Sequence, residues 1–502
     1  VKPLYTLAKN FTKPLIFVVD FRSVLFLIGV LLSALSAAMI VPLGVDLFIY
    51  ETKLWPVFAV SLCVSGFFGS AMILANRPSG KISLGMREAF LMTSLSWVIL
   101  SVFSGAPFFL CQSLPLSFVD ATFEAVSALT TTGSTVMNHL DQTPNSILLW
   151  RAMLQWFGGI GIIVMAMIIF PTLRIGGMQL FRSEFSDRSE KILPRVSQIA
   201  AAILTAYAMF TLACCVLLCW AGMPVFDSIC HAMCTVSTGG FSTKDASIGF
   251  YNNPLIEFII MVFMIIGGST LILYVRLWNG DTKAVRKDHQ LHAYLLVLLV
   301  ASAMASLWQC LENNVPFWTS VRQGTFACVS SITSCGFVGQ DYGKWGHFPI
   351  MFFFILSFIG GCTGSTSGGI KIFRFQVLFS LTRAHLLQLR RPHGVYVPLY
   401  QDQKISQSVA FSVFAFLTLY ALCLVAISFI LSALGLDFMT SLTGAASALS
   451  NVGPGLGDLI GPHTSFSGLS YGPKLVMMGA MILGRLELLT ILVLFMPSFW
   501  RN

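Results

Sequence analysis

The sequence predicts an all-α integral membrane protein: a helical hairpin followed by four repeated helix–pore helix–filter–helix units in pseudo-fourfold arrangement. Three observations predict it. Of the 502 residues only 10% are charged and 56% are hydrophobic, against about 25% charged in soluble domains, so a water-facing shell cannot be built. Ten apolar stretches approach the ~20 helical residues that a ~30 Å hydrocarbon core demands. A small-polar-plus-glycine motif also recurs four times at a nearly constant spacing. The 43 Phe and 10 Trp carry too much apolar surface for a disordered chain.

In chain order the expected spans are 24–46, 55–75, 89–110, 147–170, 197–221, 254–275, 291–311, 348–370, 407–434 and 474–497. The apolar stretches 117–132, 224–238, 318–334 and 437–450 are too short to cross. Each sits between full spans, which suggests re-entrant helices whose freed backbone is satisfied by protein or water. Their ends read Thr131-Thr132-Gly133, Ser237-Thr238-Gly239, Ser334-Cys335-Gly336 and Asn451-Val452-Gly453, with the glycines 106, 97 and 117 residues apart. A glycine pair follows in three units, Gly158-Gly159, Gly267-Gly268 and Gly360-Gly361. Repetition of this kind divides the chain into a hairpin at 1–87 and units at 88–196, 197–290, 291–406 and 407–502.

The charges fix an orientation. Of 30 Lys and Arg, 23 fall in segments that share one side of the membrane, including Lys371 and Arg374. By the positive-inside rule both termini are expected in the cytoplasm, so the net charge of +9 reflects topology and not nucleic-acid binding. The 12 Cys lie mostly in apolar runs and read as small fillers of a helix bundle, with neither zinc nor disulfides expected. Asp120, Glu124, Asp141, Asp227, Asp245, Asp341, Asp437 and Asp458 fall in outer segments, where they would enrich cations at a mouth.

Four such loops have one obvious chemistry. Glycine turns the backbone through φ > 0 without a Cβ clash, so carbonyls from four strands can face one axis and replace the hydration shell of a cation. Each short helix would aim the negative end of its dipole at the same point. Beyond the third loop, Gly360–Gly369 (GGCTGSTSGG) interrupts a span with Gly360, Gly361, Gly364, Gly368 and Gly369 among Ser365, Thr366 and Ser367. At about 1 kcal/mol per Gly relative to Ala, continuous helix is disfavoured there, and an unwound segment obstructing the path is expected. The absence of a GK[ST] sequence excludes a nucleotide phosphate loop. Arg485 lies inside the last apolar span, where an arginine normally faces the bundle interior. Arg151, at a span's edge, reads as an interface anchor.

These residues resemble the Trk/Ktr/HKT superfamily of potassium transporters, most closely its bacterial TrkH/TrkG-type uptake subunit. The resemblance runs from about Arg87 to the end. It rests on DATFEAVSALTTTG (120–133), WRAMLQWFGGIGI (150–162), STGGFS (237–242), GGCTGSTSGGIK (360–371), NVGPGLG (451–457) and GRLE (484–487). It implies potassium as the transported ion, because in that superfamily serine at the first filter glycine accompanies sodium transport. It also implies an intramembrane gating loop at 360–369 with Arg485 beside it, a homodimer in the bacterial inner membrane, and a separate nucleotide-binding gating ring of TrkA type. Cys335 departs from the Ser or Thr expected before the third glycine. Two other readings compete: an ion-coupled symporter with the same filter, for which Glu487 is the main intramembrane acid, and a redox enzyme. The second would need paired intramembrane His ligands, yet only His231 lies in a short helix.

Overall fold

The computed structural model describes residues 20–50, 54–78, 85–165, 196–401 and 403–501. The chain begins with α1 (Phe21–Ala38), capped by the Asp20 carboxylate, which accepts from Arg22 N and Ser23 N. The short α2 (Ile40–Val45) continues it. Return is by α3 (Trp55–Ala75), and small residues let the two backbones approach. A Cβ at Gly29 would stand 2.9 Å from Gly69 O, and Ser36 Oγ donates to Leu62 O across the pair.

In the division expected from sequence, the first unit takes in α4 (Met86–Ser104), α5 (Ala106–Leu110), α6 (Phe118–Leu129) and α7 (Asn145–Val164). The second has α8 (Val196–Trp220), α9 (Val225–Val236), α10 (Pro254–Gly268), α11 (Leu271–Trp278) and α12 (Thr282–Lys287). In the third are α13 (His289–Leu311), α14 (Phe317–Ile332), α15 (His347–Leu356) and α16 (Ile372–Arg390). A two-residue hairpin, β1 (Leu399–Tyr400) with β2 (Gln403–Lys404), precedes the fourth. That unit holds α17 (Gln407–Ala433), α18 (Phe438–Ser450), α19 (Tyr471–Arg485), α20 (Leu488–Leu492) and α21 (Pro497–Arg501).

Burial is inverted relative to a soluble protein. The long helices turn large apolar side chains outward, as Phe411 and Phe429 do on α17 at 79% and 75% exposure. The short helices α6, α9, α14 and α18 are buried over their C-terminal halves among Ser, Thr, Ala and Gly. Apolar surface thus faces lipid while small and polar side chains allow close packing inside.

Seven helices among the described residues are long and apolar enough to cross a membrane, or nine if two bent pairs each count as one span. Three expected spans are therefore not straight. The 254–275 stretch bends by 95° between α10 and α11, and the final one by 110° between α19 and the segment after it. The 348–370 stretch is helical only in α15, and a second helix, α16, starts at Ile372. Hydrogen bonding explains the first break: Gly267 O and Gly268 O accept from Thr366 N and Cys362 N instead of continuing their own helix. The part of the expected 147–170 span beyond Met165 lies outside the described residues.

A candidate ion pathway built from four loops

Each short helix ends in the same backbone turn. Thr131, Thr238, Ser334 and Asn451 take left-handed φ values of 50°, 51°, 52° and 53°. Two residues on, Gly133, Gly240, Gly336 and Gly453 have φ of 86°, 75°, 82° and 103°. The second loop therefore corrects the alignment read from sequence by one residue: Gly240, not Gly239, is the counterpart of Gly133. Hydrogen bonding agrees. Thr132 N, Gly239 N, Cys335 N and Val452 N each donate to the carbonyl five residues back, at Ser127, Cys234, Ser330 and Ser447. With two adjacent glycines, the sequence could not show which one carries the positive φ.

The loops close on one another. A Cβ built on Gly133 would collide with Gly239 O, one on Gly240 with Cys335 O, one on Gly336 with Val452 O, and one on Gly453 with Thr132 O. The approaches run once around all four loops and return to the first. Side chains lock the ring: Asn451 Nδ2 donates to Thr132 Oγ1 at 2.9 Å, and Ser134 Oγ to Gly453 O at 2.8 Å. On one side a cavity of about 340 Å³ opens over these glycines, with Arg151, Lys244, Asp245 and His463 in its wall. Burial pushes the His463 imidazole below its ordinary pKa, with Asp341 pulling the other way and Lys344 adding to the drop, so it stands neutral at pH 7.

Opposite this cavity, residues 360–369 pack against the ends of the short helices without forming helix. Thr366 bonds Thr238 Oγ1 at 3.0 Å, and its hydroxyl donates to Val236 O and Gly267 O. Gly368 N donates to Ser334 Oγ, and a Cβ at Gly368 would strike Ser450 O. Ser365 and Ser367 hydroxyls bond each other at 2.8 Å. Arg485, 3% exposed, donates from Nη1 to Thr366 O at 2.8 Å. Its Nε and Nη2 have no hydrogen-bond partner among the described residues. The predicted loop and the predicted arginine thus touch, beneath the second and third loops.

Several residues fall elsewhere than the sequence suggested. Lys371 and Arg374, assigned to a cytoplasmic segment, are buried: Lys371 Nζ bonds Ser367 O and the Ser365 and Ser367 hydroxyls. Arg374 pairs with Glu487 at 2.6 Å and stacks 3.7 Å over the Phe416 ring. Arg151 is a buried strut and not an interface anchor, because its partners come from helix α6 and from the loops after two short helices. It meets Glu124 at 2.8 Å, Ser242 O and Thr135 Oγ1 at 3.1 Å, and the Phe241 ring at 4.0 Å. Most of the outer acids are likewise spoken for. Asp120 pairs with Lys474, Asp227 accepts from Thr243 and Tyr251, and Asp437 caps α18. Asp245 alone among the eight lines the wide cavity.

Two repeated features escaped the sequence reading. Gly158, Gly267 and Gly484 each lie where a Cβ would press on a carbonyl in the last turn of a short helix, at Leu129, Val236 and Leu449. The glycine pair therefore recurs in the fourth unit as Gly484-Arg485, with the arginine at the position of the second glycine. Tyr207, Tyr294 and Tyr420 form the other repeat, their hydroxyls reaching Gly159, Gly268 and Ser450.

Replacing Arg151 with Ala strands the Glu124 carboxylate, which is 0% exposed. Loss of one partner of a buried pair costs about 3–5 kcal/mol. Thermal unfolding in detergent is expected to shift down markedly for Arg151→Ala, and to recover in Arg151→Met with Glu124→Gln, where no charge is left behind.

A bundle of apolar helices whose polar loops converge beneath a lined cavity defines a polytopic membrane protein of the transport class. The sequence profile of the TrkH family, described as cation transport protein, matches residues 56–502. The chain belongs to that family. It is 43% identical over 422 residues to the Trk system potassium uptake protein TrkI of Halomonas elongata, covering 84% of this chain and 85% of that one. It is 36% identical over 486 residues to the Trk system potassium uptake protein TrkH of Salmonella typhimurium, covering 96% and 100%. The crystal structure of the potassium transporter TrkH from Vibrio parahaemolyticus superposes with a TM-score of 0.88 at 34% identity, over 96% of this chain and 100% of that one.

Proposed function

We propose that the protein takes up potassium across the bacterial cytoplasmic membrane through a backbone-carbonyl filter. The filter is formed by Thr131–Gly133, Thr238–Gly240, Ser334–Gly336 and Asn451–Gly453. The observation that carries this is the closed ring of four left-handed turns, each presenting a carbonyl to a neighbouring loop's glycine. Its relatives named as potassium uptake proteins support the choice of ion. All four equivalent positions are glycine, where the family resemblance associates serine with sodium. Ten spans, counting α15 and the bent pairs, and four units about one axis complete the reading, with both termini cytoplasmic.

The 360–369 segment is the gate in this proposal, held shut by Arg485. It works in a homodimer under the control of a TrkA-type nucleotide-binding ring docked on the basic face. Conduction is passive rather than coupled. Glu124, Glu257 and Glu487 are each ion-paired with an arginine, Arg151, Arg322 and Arg374, which leaves them poorly suited to carry a proton cycle.

Reversal potentials in reconstituted vesicles test this directly. The potential is expected to follow the potassium gradient and to ignore imposed proton or sodium gradients. Dependence on pH gradient would establish the symporter instead. Deleting the central part of 360–369 is expected to raise basal flux while potassium preference persists. Loss of flux in a folded deletion variant would make the segment a hinge and not a barrier.

A further inference from the structure

Three loops fill the space behind the filter with their own side chains: Thr132, Cys335 and Val452, all buried. The second has Gly239 at the equivalent position. The missing volume is occupied from another unit. The three atoms nearest a Cβ built at Gly239 all belong to the carboxamide of Gln155, a residue of α7 with 0% exposure. Gln155 Nε2 donates to Gly239 O at 2.6 Å, and Phe241 N donates to Gln155 Oε1 at 3.1 Å. The orientation of the amide is determined by chemistry: Phe241 N can only donate, so the oxygen must face it and the nitrogen must face the carbonyl.

Gly239 O is also the carbonyl that meets Gly133 of the first loop. It belongs to the ring of four formed with Cys335 O, Val452 O and Thr132 O. A carbonyl oxygen has two lone pairs. One is taken by Gln155, which leaves the other for a cation. Three residues before the glycine of the other units stand Met264, Ser357 and Met481, so a carboxamide at this place is peculiar to the first unit.

We infer that Gln155 is a positioning residue for ion selectivity: its carboxamide replaces the side chain missing at Gly239 and fixes the direction of one coordinating carbonyl. This rests on the carbonyl-filter reading. Gln155→Leu keeps the volume and removes both hydrogen bonds. Gln155→Glu keeps the acceptor for Phe241 N and turns the donor into a carboxylate oxygen facing Gly239 O. Either frees the second loop to rotate its carbonyl.

The test is the potassium-to-sodium permeability ratio of wild type and variants in vesicles, measured beside melting temperature in potassium and in sodium. The ratio is expected to fall about tenfold in Gln155→Leu, the scale of one or two lost hydrogen bonds, and the extra melting stability in potassium to shrink with it. Gly239→Ala alone is expected to lower the ratio as well. Combined with Gln155→Ala, which empties the space, it is expected to regain part of the loss, because its own methyl then fills the gap. A wild-type ratio in Gln155→Leu and Gln155→Glu overturns the inference and leaves the filter standing. Wild-type protein without potassium preference overturns the filter reading itself. Failure of all Gln155 variants to accumulate as folded protein makes Gln155 a packing residue, which also overturns the inference.

Discussion

Gly240→Ser is expected to abolish most potassium-over-sodium discrimination, by at least about tenfold, or about 1.4 kcal/mol, while the protein still folds and inserts. Two costs combine at this residue. Its φ of 75° lies in the left-handed region, where any L-residue other than glycine pays roughly 1–2 kcal/mol. The added Cβ would also strike Cys335 O, a carbonyl of the neighbouring loop that cannot step aside without leaving its ring. Gly239 is a different case, since the atoms nearest its Cβ would be those of the Gln155 carboxamide and not a backbone carbonyl. The two positions can therefore be told apart by rescue. Gln155→Ala is expected to relieve Gly239→Ala and to leave Gly240→Ser unrepaired. The permeability ratio measured across these variants decides the register of the second loop. If Gly240→Ser retained wild-type selectivity, its equivalence with Gly133 would have no functional meaning.

What the sequence made legible was whatever repeats. Composition separated lipid-facing helices from a polar interior, and four small-polar-plus-glycine motifs marked the loops that the structure brings into one ring. The same reasoning identified 360–369 and Arg485, since five glycines and an intramembrane arginine are each costly unless something distant uses them. Features set by partners far along the chain stayed hidden. The break after Gly268 depends on amides of Cys362 and Thr366, about a hundred residues away. Arg151 and Arg374 looked like boundary or surface charges because their counter-groups, Glu124 and Glu487, lie in other elements. Glu487, for example, reaches Arg374 from an elbow where its own φ is 59°. Register in the second loop failed for a local reason: in Ser-Thr-Gly-Gly either glycine satisfies the pattern, and only the backbone angles choose.

Arg485 offers the other large effect, and the structure changes how charge and clamp can be separated. A positive charge about 8 Å from a passing potassium ion, at an effective dielectric near 20, opposes it by about 2 kcal/mol, roughly a thirtyfold effect on occupancy. The guanidinium makes one hydrogen bond to the 360–369 segment, from Nη1 to Thr366 O. A single carbonyl does not need a planar fork, so a lysine ammonium can supply both the bond and the charge. Arg485→Lys is therefore expected to stay near wild type under either mechanism. Arg485→Gln is the discriminating variant, because it keeps a donor for Thr366 O and removes the charge. If electrostatics sets the barrier, Gln and Ala both raise basal potassium flux by an order of magnitude or more. If the bond to Thr366 holds the segment in place, Ala leaks and Gln remains closed. Thr366 hangs in turn from Thr238, Val236 and Gly267, so a clamp released at Arg485 is expected to loosen the second loop and reduce selectivity along with closure. A pure charge effect raises flux with selectivity intact. Flux and permeability ratio measured together on the three variants therefore identify the mechanism, and wild-type flux in all three would remove Arg485 from the pathway.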